Sequence, residues 1–355
     1  MAPLVKALER REAFESMVCV TAQHREMLDS VLAVFDIKPD YDLNLMKHGQ
    51  SLSDITVGAL LGIEKVLRRV QPDIVLVHGD TTTTFVGALA AFYQKIKVGH
   101  VEAGLRTGNI YSPYPEEMNR RLTTVLADYH FAPTQRNHEN LIKSGVAPEK
   151  IYITGNTVID ALLSVLEKEY TFENPLLNQI DYSARKVIVL TCHRRENWGK
   201  PMEQIFQGIR EVVEAHPDVE VIYPVHLNPQ IKALADEFMG GVNRIHLIEP
   251  LDYQPFANLL SRAHLIITDS GGIQEEAPAL GKPILVVREE TERPEAVKAG
   301  TVKVVGTQTQ ALVTAVHHLL TDQKAYETMK NAVNPYGEGG SAKVIVDILL
   351  KEFSN

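Results

Sequence analysis

Ile74-Val75-Leu76-Val77-His78-Gly79-Asp80-Thr81-Thr82-Thr83-Thr84 begins with four aliphatic side chains, turns on a glycine and continues through threonines. Such a run reads as a strand buried on both faces, followed by a tight turn into a helix. Asp80 then stands at the carboxyl edge of a sheet, next to helix amides that lack intrahelical partners. Asp80 or Thr81 can be the helix cap, and Asp80 can equally be held there for chemistry.

The same pattern repeats on both sides. Short Val- and Ile-rich runs are expected as strands near 17–21, 97–101, 130–132 and 151–154, and again at 186–192, 219–225, 244–248, 264–268, 283–287 and 301–305. Segments with helical spacing separate them, which is how a parallel sheet is wound. At 355 residues the chain exceeds one ordinary domain. The sequence therefore predicts an α/β protein of two Rossmann-like doubly wound domains with a cleft between them. An N-terminal domain is expected over 1–170, a linker over 171–185 and a C-terminal domain over 186–355, whose last helix is a candidate to pack back on the first domain. The linker reading rests on Asn174, Pro175, Asn178 and Asp181, which fall in no clear period. Ala2 to Arg10 read as a helix with Pro3 in its first turn, so the strand that normally opens a doubly wound domain is expected to be missing.

A formal net charge of -9 argues against nucleic acid or an acidic membrane as partner, since both need a basic face. Cys19 and Cys192 form no CxxC pair, so neither a disulfide framework nor a metal site is expected, and a reducing cytoplasm fits. No apolar run approaches the roughly 20 residues needed to span a bilayer. Gly337-Glu338-Gly339-Gly340 follows no strand, so NAD is not expected there.

Ligands of open parallel sheets bind beyond the carboxyl ends of the strands, so the residues after each run decide the chemistry. Val98-Gly99-His100-Val101-Glu102 ends in an acid that is either functional or the ion-pair partner of Arg106. Pro115-Glu116-Glu117 starts a helix whose positive end favours both acids, which is also a sufficient structural reason for them. Asp80, Glu102 and Glu116 together, each at a boundary expected to face one cleft, are what proton transfer at carbon requires. In the second half His193-Arg194-Arg195 follows a strand and suits phosphate oxygens, unless it is only a solvated basic turn. Asp269-Ser270-Gly271-Gly272 runs from strand to helix through two glycines, bringing amides and a hydroxyl to a phosphate. Glu276 lies one turn inward, placed for ribose hydroxyls, with Arg288 and Arg293 downstream. Phe256 can stack a base or belong to the core, and His100 and His226 are open between structural and functional roles.

Taken in order, His78-Gly79-Asp80-Thr81-Thr82, Gly99-His100-Val101-Glu102-Ala103-Gly104-Leu105-Arg106, Pro115-Glu116-Glu117, Thr154-Gly155-Asn156-Thr157, His193-Arg194-Arg195-Glu196-Asn197, Tyr223-Pro224-Val225-His226 and Asp269-Ser270-Gly271-Gly272-Ile273-Gln274-Glu275-Glu276 resemble the non-hydrolysing UDP-N-acetylglucosamine 2-epimerases over essentially the whole chain. The resemblance implies a GT-B-like fold, a homodimer, no cofactor, and reversible conversion of UDP-N-acetylglucosamine to UDP-N-acetylmannosamine. In that family's chemistry UDP leaves C1 as a base removes the C2 proton, giving a 2-acetamidoglucal to which UDP is added back. It implies Asp80, Glu102 and Glu116 as acid-base residues and His193 as an aid at the diphosphate. Ser270, Gly271, Gly272 and Glu276 match its UDP-holding motif, Phe256 its base contact and Arg293 a further contact. Gln23, His24, Arg194 and His226 match a second site where UDP-N-acetylglucosamine activates.

Members of the family begin with a strand and a Gly-Thr-Arg-Pro-Glu turn that have no counterpart here, so Met1 is expected to be internal to a longer reading frame. Three rival readings stand beside it: a GT-B glycosyltransferase using the same UDP motif, a non-catalytic nucleotide-sugar sensor and, less favoured, a hydrolysing epimerase.

Overall fold

A computed structural model describes residues 1–22, 25–45 and 49–354, without the side chains of 26 and 27. The chain forms two compact units, Met1–Ala161 with Tyr336–Asn355, and Leu162–Pro335.

In the first unit, β1 (Cys19–Val20) pairs in parallel with β2 (Tyr41–Asp42), a two-residue strand with no apolar run to announce it. β3 (Ile74–His78), β4 (Lys97–Val101), β5 (Tyr129–Ala132) and β6 (Ile151–Ile153) form a separate parallel sheet in that order. The helix Leu52–Val70 starts at a capping box, in which Ser51 and Asp54 satisfy each other's amides, and stops at Gln71 in the left-handed region. The helix Thr82–Tyr93 is capped by Thr81, whose hydroxyl accepts from the Thr84 amide at 3.2 Å. Its small residues Ala88, Ala90 and Ala91 are wholly buried beside Val77 and Val98 of the sheet.

The helices Ala2–Glu9 and Ser341–Phe353 meet in this unit, where Leu4 and Leu8 share a core with Ile345, Val346 and Leu349. The turn Gly337 to Gly340 is filled by protein: the Asp160 carboxylate accepts from the amides of Gly340 at 2.9 Å and Ser341 at 3.2 Å. A carboxylate is the natural occupant of that positive helix end.

In the second unit, β7 (Lys186–Thr191), β8 (Val219–Pro224), β9 (Ile245–Ile248), β10 (Leu265–Thr268), β11 (Ile284–Val286) and β12 (Val302–Val304) make one parallel sheet. Its order, β12-β11-β10-β7-β8-β9, reverses between β7 and β10, the point where doubly wound sheets open a crevice. Both faces are covered, so the middle strands are almost wholly aliphatic.

Residues 171–185, expected as a linker, lie inside this unit, and the chain divides after Ala161 instead. The residues read as breakers build a helix start: Asn174 caps and Pro175 opens the helix Pro175–Gln179. Asn178 ties the loop to both backbone groups of Phe172, which is buried with Leu177. No helix among the described residues is long and apolar enough to cross a membrane.

Gly104 marks the tightest backbone approach of the first unit. Its φ is +93°, and a Cβ there would stand 2.3 Å from the carbonyl oxygen of Asn137. Gly104→Ala is expected to lower stability by about 2 kcal/mol or more, read as an earlier urea midpoint.

Candidate functional site

β3 and β4 end side by side, with His78 opposite Val101 and the Gly79 amide donating to Val101 O at 3.0 Å. Gly79 turns the chain at φ +71°. His100, fully buried, donates from Nε2 to Gly79 O at 2.8 Å and locks that turn. Burial pushes its pKa down to about 3, so the ring stays neutral and its role is structural.

Glu102 follows β4 in the left-handed region, at φ +62°, a conformation that costs a non-glycine residue about 1–3 kcal/mol and recurs at functional sites. Its Oε2 lies 3.1 Å from His78 Nε2. Arg106, the alternative ion-pair partner, turns elsewhere, donating to Leu105 O at 2.7 Å and Thr124 Oγ1 at 2.8 Å.

Asp80 is gripped by the helix Glu116–Leu126. Arg120 donates through Nε at 2.9 Å and Nη2 at 2.6 Å to one oxygen, Oδ2, while Asn119 Nδ2 donates to the Asp80 carbonyl at 3.0 Å. Arg120 Nη1 reaches Glu117 Oε2 at 3.2 Å. Glu117 has no exposed surface and also accepts from the Thr107 amide at 3.0 Å and Arg121 Nε at 3.1 Å. Burial pushes the Glu117 carboxyl up, but the Thr107 amide, Arg121 and Arg120 more than reverse this and hold it below the usual carboxylate range. Glu116, in the first turn of the same helix, is half-buried and has no side-chain partner among the described residues. The first unit thus brings Asp80 and Glu102 to adjoining strand ends and ties Asp80 to the helix that carries Glu116.

In the second unit the two motifs follow β7 and β10, the strands that flank the reversal of order. Asp269 is completely buried, and its Oδ2 accepts from the amides of His193 and Arg194, both at 2.8 Å, and from Asn197 Nδ2 at 3.1 Å. Oδ1 lies 3.4 Å from His193 Nδ1. Burial, with His226 and Arg194 nearby, keeps His193 below the ordinary histidine value in spite of Asp269. The His193 ring stacks on His226 at 5.7 Å and 11°.

Arg194 and Arg293 converge on the diglycine turn: a methyl group at Gly271 would stand 3.5 Å from one guanidinium and 3.9 Å from the other. Arg293 is braced by the buried Glu275 carboxylate, and Arg288 is held by Glu196 at 2.5 Å. Ser270 leads into the helix Gly271–Glu276, its own amide donating to Thr268 Oγ1 at 2.9 Å. Glu276 leans over Gly272, and burial, reinforced by Glu275, pushes its carboxyl up to about 8. Phe256 is partly buried on the helix Tyr253–Arg262. This edge offers cations, a neutral imidazole and backbone amides around a bare turn, the donor set that a diphosphate takes. Gln23 and His24 lie outside the described residues.

Sequence reasoning passed over Arg120, Asn119 and Asn197, and gave Glu117 and Asp269 no role of their own. The spacing of Glu117 to Arg120 and Arg121 is a legible helix ion-pair pattern. The separation of 40 positions from Asp80 to Arg120 carries no such signal.

The sequence matches the profile of the UDP-N-acetylglucosamine 2-epimerase family over residues 6–350. The chain belongs to this family. A UDP-N-acetylglucosamine 2-epimerase of Bacillus subtilis is 53% identical over 350 residues, covering 99% of this chain and 91% of the relative. The structure of the UDP-GlcNAc 2-epimerase from Neisseria meningitidis bound to UDP-GlcNAc is similar at a TM-score of 0.88 and 51% identity, with 99% and 96% of the chains covered. The S. aureus MnaA-UDP co-structure is similar at a TM-score of 0.89 and 47% identity, covering 100% and 93%. The two Rossmann-like units are therefore those of the family's GT-B-like fold, and the motifs sit on the strand ends where that fold binds ligands.

Removing the buried Glu117 charge leaves two arginines facing a neutral group, so Glu117→Gln is expected to cost about 3–5 kcal/mol in chemical denaturation. Because its folded pKa lies below the unfolded value of 4.5, its stabilisation is complete above that pH and lost as pH falls through the folded value. Glu117→Gln should flatten that acid loss.

Proposed function

We propose that this chain interconverts UDP-N-acetylglucosamine and UDP-N-acetylmannosamine by eliminating UDP and adding it back. The observation that carries the chemistry is the placement of Asp80, Glu102 and Glu116 around two neighbouring strand ends and one helix start. The C2 proton of the sugar is too weakly acidic for simple exchange. Its removal by a carboxylate turns the C–H pair into a C1=C2 bond, while the C1–O pair leaves with UDP. Protonation of the 2-acetamidoglucal at C2 from the other face, with UDP re-forming the bond at C1, inverts C2. Inversion needs acid-base groups on two faces of the sugar, which a lone carboxylate does not supply. We assign that work to Asp80, Glu102 and Glu116, and aid to the departing diphosphate to His193. UDP is assigned to Ser270, Gly271, Gly272 and Arg293, with Glu276 at the ribose and Phe256 at the base.

A proton NMR time course in deuterated water, with UDP-N-acetylglucosamine and no acceptor, is expected to show deuterium at C2 and growth of the UDP-N-acetylmannosamine signals. Asp80→Asn should slow this by about 10²–10⁴-fold. UDP release only when an acceptor sugar is added would support a glycosyltransferase instead, and binding without any label would support a sensor.

The same reading gives UDP-N-acetylglucosamine a second role as activator at Arg194 and His226, together with Gln23 and His24. The stacking of His226 on His193 supports it, since a ligand there biases a ring assigned to the diphosphate. The rate should rise sigmoidally with substrate, and hyperbolically in His226→Ala. Both cysteines are free thiols, which supports a reducing cytoplasm as the compartment.

A homodimer is supported by apolar side chains exposed on three neighbouring helices: Val57 and Leu61 on Leu52–Val70, Phe92 and Tyr93 on Thr82–Tyr93, and Val125 on Glu116–Leu126. Exposed apolar side chains gathered on adjoining helices suit an interface. Leu61→Glu is expected to move the protein from dimer to monomer in sedimentation velocity.

A further inference from the structure

We propose that Arg120 is the positioning residue of Asp80, and that the buried carboxylate of Glu117 acts through it. The proposal rests on the epimerase reading above and deepens it.

The geometry is that of a clamp. Arg120 places two donors of its rigid fork, Nε at 2.9 Å and Nη2 at 2.6 Å, on the same Asp80 oxygen, Oδ2. No group among the described residues bonds to Oδ1. Two donors from one plane fix the rotation of the carboxylate and so fix where the free oxygen points. The backbone is held as well, since the neighbouring Asn119, itself buried, donates to the Asp80 carbonyl at 3.0 Å. Arg120 in turn cannot swing away, because its third donor, Nη1, is taken by Glu117 at 3.2 Å. Glu117 is pinned by the Thr107 amide and Arg121. The middle of the chain is sheltered: the side chain of Arg120 is 12% exposed and that of Glu117 0%.

A surface ion pair between Asp80 and Arg120 would leave both free to reorient and would contribute little. This one is part-buried and completed by a second carboxylate, and it ends on an acid with one oxygen left open. The helix that supplies Arg120 and Asn119 also begins with Glu116. One rigid element therefore sets the separation of two of the assigned acid-base groups, and misplacement on the order of 1 Å at such groups costs about 10²-fold in rate.

A double-variant cycle tests this, with kcat and KM measured for Asp80→Asn, Arg120→Ala, Arg120→Lys and the pair Asp80→Asn with Arg120→Ala. If Arg120 works through Asp80, Arg120→Ala lowers kcat by about 10²-fold and leaves KM within about threefold. In the Asp80→Asn background the same change then costs no more than about threefold, because the group it positions is already gone. Guanidinium ion in the buffer should recover at least about tenfold of the Arg120→Ala loss, while ammonium at equal ionic strength should not, because only the fork restores the geometry. UDP affinity, read by calorimetry, is expected to be unchanged and reports that the second unit is intact.

Losses that multiply in the double variant overturn the proposal, as does a kcat within about threefold of wild type in either Arg120 variant. Where Arg120→Ala fails to fold, Arg120→Lys is judged by the same criterion. A wild-type chain that places no deuterium at C2 overturns the epimerase reading and this proposal together. A wild-type chain that does, with multiplying losses, overturns the positioning alone.

Discussion

A parallel sheet must return the chain to the same edge after every strand. Each crossover runs back over a face, so all carboxyl ends point one way and the residues just beyond them collect along one rim. Asp80 and Glu102 meet for this reason, one strand apart in register, as do the motifs after β7 and β10 in the second unit. The aliphatic strands supply the burial that makes the rim rigid. They carry no chemistry themselves, which frees the rim residues to be polar, strained or charged.

Each unit then solves a similar problem with one fully buried carboxylate. Glu117 and Asp269 expose no surface, and stripping water from such a group costs several kcal/mol unless donors replace it. Glu117 takes the Thr107 amide and two arginines; Asp269 takes the amides of His193 and Arg194 and the Asn197 amide group. Among these donors, Arg120 also holds Asp80, and the His193 and Arg194 amides belong to residues that we assign to ligand binding. Satisfying the buried charge and fixing the site are one set of contacts. The strain at Glu102 fits the same picture, because a left-handed acidic residue persists only where its surroundings dictate it.

The strands were legible because burial on both faces leaves long aliphatic runs, and Asp80, Glu102, Glu116 and the diglycine turn were legible from their places just beyond strand ends and at a helix start. β2 was not, since Tyr41-Asp42 pairs through backbone alone. Residues 171–185 misled because Asn174 and Pro175 serve equally as breakers and as a helix start, and only the burial of Phe172 and Leu177 tells which. The return of the terminal helix to the first unit was readable only as a candidate, because Ile345, Val346 and Leu349 state that a face is buried and not where. Among the polar residues, local partners could be read and distant ones could not. Thr81 as cap is dictated by its position, whereas the Arg120 grip on Asp80 and the Arg293 brace on Glu275 join residues that only folding brings together. The ambiguity of His100 ended on a hydrogen bond to Gly79 across two strands. The roles of individual residues came from resemblance to a family, because acids at strand ends are compatible with several reactions.

In the second unit the residues that we assign to an anion stand among acids. The chain carries a net charge of -9, and Asp269, Glu275 and Glu276 flank the diglycine turn in sequence, with Glu196 on Arg288. Any of these left ionised and unpaired would repel a diphosphate, with an energy that grows as water is excluded. None is left so. Glu275 is matched by Arg293 and Glu196 by Arg288, while Asp269 Oδ2 takes amide donors and Oδ1 lies 3.4 Å from His193 Nδ1. Glu276 is pushed up to about 8 by burial, reinforced by Glu275, which favours its uncharged form. Glu275 and Glu196 thereby hold Arg293 and Arg288, and Arg194 and Arg293 stand beside the diglycine turn. The acid-base role that we assign in the first unit calls for the opposite, and there, among the described residues, nothing bonds to Asp80 Oδ1 and Glu116 remains unpaired. The two units differ less in fold than in which of their carboxylates are left available.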